Sequence, residues 1–318
     1  MAKIVLGLAT AHSPQCTGDL RFWKELAALD RNRLPFEELK RTAPKWLATG
    51  LTDAVMEESY RRAQVAIKAL SDKLMEVKPD VLVVIGDDQH ELFLDECIPT
   101  FAVYIGKGVV DHPEPLDKLS PSARDAAWAR HAKQAEVYPN KPDMAKHILS
   151  QLIESDFDVA QFSTQYEGRG VGHAWTFARL RLQPDIPPLP TIPITINAYF
   201  PPNQPSAKRC FALGRTVRKA IESWDENLRV ALIATGGLSH RIIDEEFDQK
   251  LLKAMAENDV ATIEAMPRKL FVSGTAECLN WIATAGAAEH LKMKVVDYVP
   301  AYRSEAGSGV GMGFVYWQ

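Results

Sequence analysis

Residues 53–85 constrain the fold of this chain more than any other stretch. Apolar side chains recur every three or four positions through residues 53–77 (Val55, Ala63, Val65, Ala66, Leu70, Leu74), and this spacing predicts one long helix. Pro79-Asp80 follows, and Val81, Leu82, Val83, Val84 and Ile85 then run without a polar break. An unbroken apolar run of that length predicts a strand covered on both faces. A similar run over residues 4–9 precedes the helix. Long helices between buried strands make parallel crossovers. The expected fold is therefore α/β: a central, mostly parallel or mixed sheet flanked by helices, in a single domain.

Further strands are expected over residues 101–105, 159–163, 230–234, 295–299 and 314–317, with one more carrying Ile194 and Ile196. Helical spacing recurs over residues 144–153, 207–223, 247–256 and 277–288, and residues 19–48 read as charged helical pieces. Residues 106–121, rich in Gly, Pro and Asp, read as loop, and residues 199–205 hold three prolines that exclude regular structure. No low-complexity linker divides the chain, so residues 1–318 are expected to form one catalytic unit.

Composition excludes several function classes. With 318 residues, a formal charge of −4 and a pI near 6.1, nothing favours a nucleic-acid or anionic-membrane partner. No run approaches the length of a membrane span, and the apolar stretch at the N-terminus is too short for a signal-peptide core. The four cysteines form no CxxC pair and no disulfide-framework spacing. A soluble, reduced, cytoplasmic protein is the expectation.

Chemistry is concentrated in a few polar clusters, several just after strand-like runs. His12 lies in Ala-His-Ser-Pro after the first strand, where it could cap the turn, ligate a metal or act as a base. Gly86-Asp-Asp-Gln-His-Glu91 follows the most apolar strand; such turns are often merely solvated, yet this density of titratable groups also marks a site. His240 closes Gly-Gly-Leu-Ser-His after another strand and suits acid–base work, because imidazole titrates near neutrality. His173, in Gly-Val-Gly-His-Ala-Trp, reads equally as a buried structural imidazole or a substrate contact. Glu277 opens a helix that reads as amphipathic. The helix dipole or capping, with Thr275 as a possible cap, would explain an acidic residue there without any metal. Residues 302–313 are glycine-rich but lack the Lys-Ser/Thr ending of a phosphate loop.

In order and wording, these clusters resemble the class III extradiol ring-cleavage dioxygenases of the protocatechuate 4,5-dioxygenase β-chain type. The most specific parts are His12-Ser-Pro, Gly236-Gly-Leu-Ser-His240, the 197–205 loop followed by Arg209-Cys-Phe-Ala-Leu-Gly, and Glu277 with Asn280-Trp281. The resemblance implies a non-haem Fe(II) site with open positions for a small aromatic diol and O₂. It further implies His12 and Glu277 as ligands, His240 as the acid–base residue, His173 as a substrate contact, and a homodimer. There is one departure. The family's second histidine ligand belongs to an Asp-His pair, where this chain has Asp88-Gln89 with His90 one residue late. An ungapped match favours Gln89 as the third ligand. A non-catalytic homologous subunit and a metal-dependent hydrolase stand as alternative functions. Arg169 or Arg303 could hold a substrate carboxylate, although a structural role for each is the stronger expectation.

Overall fold

The computed structural model describes residues 1–113 and 115–318. Its strands are β1 (Lys3–Thr10), β2 (Val81–Asp87), β3 (Phe101–Tyr104), β4 (Gly108–Asp111), β5 (Glu136–Pro139), β6 (Ala160–Phe162), β7 (Thr191–Ile196), β8 (Arg229–Thr235), β9 (His240–Ile242), β10 (Met293–Tyr302) and β11 (Ser308–Trp317). One mixed sheet runs in the order β10-β11-β1-β8-β2-β7-β3-β6, with β9 paired to β11. The central strands β1, β8, β2 and β7 are mutually parallel, so their carboxyl ends share one edge. Ligand-binding groups of open α/β sheets gather at that edge.

Alternation within the apolar runs explains the layers. Val81, Val83 and Ile85 pack on one face of β2 with the helices Pro142–Glu154, Ala207–Glu222 and Cys278–Ala288. Leu82 and Val84 pack on the other with Asp53–Val77 and His173–Leu182. Side chains along a strand point alternately to its two sides, so a strand buried twice must be apolar throughout. The 25-residue helix Asp53–Val77 starts where Thr52 accepts a hydrogen bond from the Val55 amide. It ends at Lys78, whose φ of 49° is left-handed, just before Pro79. Met56, Ala63, Ile67, Leu70 and Leu74 form its buried stripe.

Three expectations are corrected. The stretch read as loop over residues 106–121 contains β4, which pairs antiparallel with β5 in a separate two-stranded sheet. Its Gly and Asp content hid a strand whose partner lies 25 or more residues downstream. The last two strands are longer than expected and form an antiparallel pair of ten residues each, so the glycine-rich stretch lies partly within β11. The helix Cys278–Ala288 is not amphipathic: all eleven residues are buried, because it lies between the sheet and the helix Ala207–Glu222. Among the described residues, no helix is long and apolar enough to cross a membrane.

Candidate active site

Four parallel strands deliver their trailing residues to one cleft of about 150 Å³. His12 comes two residues after β1, in a turn tied down by the Ala11 amide donating to Gly313 O (3.0 Å). Gln89 comes two residues after β2, in a turn held by Asp88, whose carboxylate accepts from the amides of Leu92 (2.8 Å) and Phe93 (3.1 Å). Burial, with Glu91 adding its charge, pushes the Asp88 carboxyl up to about 6. Tyr199 follows β7, and His240 follows β8 across the Gly236-Gly237 turn. Gly236 has φ of +135°, and a Cβ there would lie 2.6 Å from Glu277 Cβ, so both backbone and space require glycine.

Glu277 is the hub. Its Oε2 accepts from the Gly237 amide (2.6 Å) and lies 3.5 Å from His12 Nε2 and 3.4 Å from His240 Nε2. Its Oε1 accepts from Tyr199 Oη (2.6 Å) and from Gln89 Nε2 (3.2 Å). Burial would raise this carboxyl, but the charges of His240 and His12 and the hydrogen bonds hold it well below the usual carboxylate range. Tyr199 is shifted the other way, first by burial and then by Glu277 and Asp87, so it remains a neutral phenol donating to Glu277. Asn280 and Trp281 stand three and four residues beyond Glu277, on the same side of the chain's helical turn. Asn280 donates to Asp87 Oδ1 (2.8 Å) and Thr235 O (3.0 Å), and Trp281 Nε1 donates to Gly236 O (2.9 Å). The helix thereby locks β2, β8 and the glycine turn around its own carboxylate. Thr275 does not act as a helix cap; its Oγ1 accepts from the His240 amide (2.9 Å).

The donor set fits a metal ion. His12 is 4% exposed, and neither ring nitrogen has a hydrogen-bond partner among the described residues. A buried imidazole without partners is costly unless something else satisfies it. Single ligand atoms of His12, Asp87 and Glu277 all lie within 4.8 Å of one another. One imidazole and two carboxylates suit a divalent cation of the first transition row or a harder one.

The remaining residues are placed as follows. Gln89 lines the cleft and turns its amide NH₂ to Asp87 Oδ2 (3.1 Å) and to Glu277. His90 faces outward: its φ is 62°, its ring stacks on Phe200 at 3.9 Å, and its Nε2 lies 3.5 Å from Asp95. His173 is the first residue of its helix, and its ring lies 4.5 Å from the His12 ring between centroids. Its Nδ1 and its amide both donate to Glu91 Oε1, at 2.6 and 3.0 Å. Burial opposes charge on both partners, yet their attraction raises His173 and lowers Glu91 to about 2. His240 Nδ1 meets Leu238 O at 2.9 Å. A carbonyl can only accept, so Nδ1 bears a proton, and Nε2 is the ring nitrogen turned toward Glu277 in the cleft.

Sequence reasoning missed Asp87, Tyr199 and Arg130, all of them at or beside this cleft. Asp87 was detectable, since residues two apart on extended backbone share a side with Gln89. Arg169 and Arg303 are structural: Arg169 binds Leu92 O (3.0 Å) and Glu96 (2.5 Å), and Arg303 binds Asp30 (2.7 Å) and Gln15 (2.8 Å).

Comparison with known proteins gives the family of the chain. Residues 49–313 match the family described as the catalytic LigB subunit of aromatic ring-opening dioxygenase. The chain is 28% identical over 155 residues to a gallate dioxygenase of Pseudomonas putida, covering 45% of this chain and 44% of that protein. It is 26% identical over 194 residues to a 2,3-dihydroxyphenylpropionate/2,3-dihydroxicinnamic acid 1,2-dioxygenase of Photorhabdus laumondii, covering 58% of this chain and 50% of that protein. A protein of the same name from Comamonas testosteroni is 27% identical over 176 residues, covering 55% and 47%. The match therefore spans about half the length of these relatives.

Proposed function

Because this chain belongs to the family of catalytic LigB subunits of aromatic ring-opening dioxygenases, we propose that it is a non-haem Fe(II)-dependent extradiol dioxygenase. Its substrate would be a catechol- or gallate-like aromatic, cleaved with O₂ beside the two hydroxyls. The observation that carries this reading is the buried, unpartnered imidazole of His12 beside Glu277, in a cleft that also holds His240.

The ion would be held by His12 and Glu277, with Gln89 as third ligand through its amide oxygen once the amide is turned over, and Asp87 adding negative charge beside it. When bound, ferrous iron would polarise the diol and bring it together with O₂. The protein residues supply the rest. His240, with its Nε2 toward the cleft, accepts a phenolic proton and returns one as the ring opens. His173, its Nδ1 proton fixed on Glu91, is a second polar contact for the substrate. Tyr199 keeps Glu277 oriented and partly neutralised without itself ionising. Asn280 and Trp281 hold the carboxyl ends of β2 and β8 at fixed separation, as a preorganised site requires.

The test is anaerobic reconstitution with Fe(II), then O₂ uptake and formation of a yellow ring-fission product from a panel of catechols. A fully metal-loaded protein giving neither would reject the reading and leave the non-catalytic subunit or the hydrolase. Two further expectations accompany the proposal. The four free cysteines suit a reducing cytoplasm, and the family resemblance suggests a homodimer, which light scattering measures directly.

A further inference from the structure

Glu91 closes the polar turn after β2 and is not one of the described residues that line the cleft. Its Oε1 nevertheless accepts twice from a residue that does, from the His173 amide (3.0 Å) and from His173 Nδ1 (2.6 Å). The first bond seats the carboxylate at the start of the helix His173–Leu182, where unpaired amides and the helix dipole favour an anion. The second fixes the ring. An imidazole at a helix start can otherwise turn about two side-chain torsions. With Nδ1 committed to Glu91, Nε2 is the nitrogen left for the cleft, in a ring 4.5 Å from that of His12.

Gly172 makes room for this carboxylate. Its backbone, with φ of −67° and ψ of 158°, is one that any residue adopts. Space is what excludes a side chain: a Cβ there would lie 2.5 Å from Glu91 Oε2 and 3.0 Å from Trp175 Cζ3. The glycine before His173 is thus a requirement of Glu91 and not of the turn. Both partners are otherwise secured without this contact. Trp175 Nε1 donates to Val84 O (3.2 Å) and Thr235 Oγ1 donates to Ala174 O (2.8 Å), which ties the helix start to the sheet. The turn is held by Asp88 through the amides of Leu92 and Phe93. Removing the Glu91 carboxylate therefore frees the imidazole while the backbone on either side stays in place.

We propose that Glu91 is the positioning residue of His173, holding its ring so that Nε2 meets the substrate, and that Gly172 is the space this requires. What His173 touches rests on the dioxygenase reading; how it is held is measured separately. Long-range ¹H–¹⁵N spectra of metal-free protein labelled with ¹⁵N-histidine report which ring nitrogen bears hydrogen, and His173 is assigned by the signals missing in His173→Gln. A protonated, slowly exchanging Nδ1 is expected in the parent and in Glu91→Gln, whose amide oxygen still accepts. In Glu91→Ala and Gly172→Ala the two ring nitrogens should average. With iron loaded, kcat/KM for the catechol that the parent turns over fastest should fall about 10- to 100-fold in those two variants and be retained in Glu91→Gln, with iron content unaltered in all three. The double variant Glu91→Ala/Gly172→Ala should lose no more than Glu91→Ala, because both changes break one contact. Gly172→Ala keeps the test decisive if Glu91→Ala misfolds. An unchanged His173 spectrum in either alanine variant, or losses that multiply in the double variant, overturns the proposal. Averaged nitrogens in a protein that opens no ring would reject the dioxygenase reading and leave Glu91 in its role; ring opening at parental kcat/KM in every variant would do the reverse.

Discussion

His240 reaches the cleft from a turn whose backbone is held without its imidazole. Its own amide donates to Thr275 (2.9 Å), the Ser239 amide donates to Asp248 (2.8 Å), and the Gly311 amide donates to Ser239 O (2.8 Å). Removing the ring should therefore spare the frame and the metal site. His240→Ala is expected to lower turnover by roughly 10²–10⁴ while metal content after desalting stays near that of the parent. Loss of most of the metal would contradict the assigned role. At position 89 the donor atom is what matters. Imidazole is a stronger donor than an amide oxygen to first-row metals, so Gln89→His should match or exceed the parent in competition with a weak chelator. If affinity is unchanged while Asp87→Asn empties the site, Asp87 is the ligand and Gln89 merely bridges two carboxylates. His90, stacked on Phe200 and facing outward, should tolerate alanine with metal content unaltered.

The helix Cys278–Ala288 shows why an element can be legible while its environment is not. Leu279, Trp281 and Ile282 announce helical burial, but Asn280 and Thr284 look like a wet face in the sequence. Asn280 is instead buried against Asp87 and Thr235 O, tying the helix to the sheet. On its other side, the alanines and Gly286 let the helix Ala207–Glu222 approach to backbone contact. A Cβ on Gly214 would lie 1.8 Å from Ala283 O, and one on Gly286 would lie 2.3 Å from Phe211 O. Gly214→Ala is favourable for an isolated helix by ~1 kcal/mol, yet here it must push two helices apart. The expected outcome is a net loss of about 1–3 kcal/mol in urea unfolding. Since Glu277 begins this helix, weaker metal retention should accompany the loss. An unchanged urea midpoint would mean the helices separate freely.

For the whole molecule, buried carboxyls set the response of stability to pH, and they act in opposite directions. Asp248, fully buried under Ser239 and Tyr298, is pushed up to about 6 by desolvation, only partly countered by its hydrogen bonds. Between pH 4 and 6 the unfolded chain releases this proton before the folded one does, so the folded state binds more protons and stability falls as pH rises. Glu91, lowered to about 2, acts oppositely: its contribution is complete above its unfolded value and is lost as pH falls toward 2. Asp248→Asn removes the first effect alone. Its deficit in urea midpoint relative to the parent should shrink between pH 4 and 7, by an amount on the order of 3 kcal/mol in free energy. A deficit independent of pH would show that Asp248 titrates as an ordinary aspartate. By itself the sequence determined the layered α/β fold, because a doubly buried strand can only be a continuous apolar run and a long helix only a 3.6-residue stripe. It also identified His12, His173, His240 and Glu277 as candidates, since imidazoles and carboxylates beside strand ends are visible as letters in a row. Only the tertiary structure decided that Gln89 and not His90 faces the cleft, that Asp87 and Tyr199 belong with Glu277, and that Arg130 reaches the cleft from between β4 and β5. These depend on side-chain direction and on contacts between residues as many as 193 positions apart. No local pattern encodes such contacts, because they exist once parallel strands have brought distant turns to one edge of the sheet.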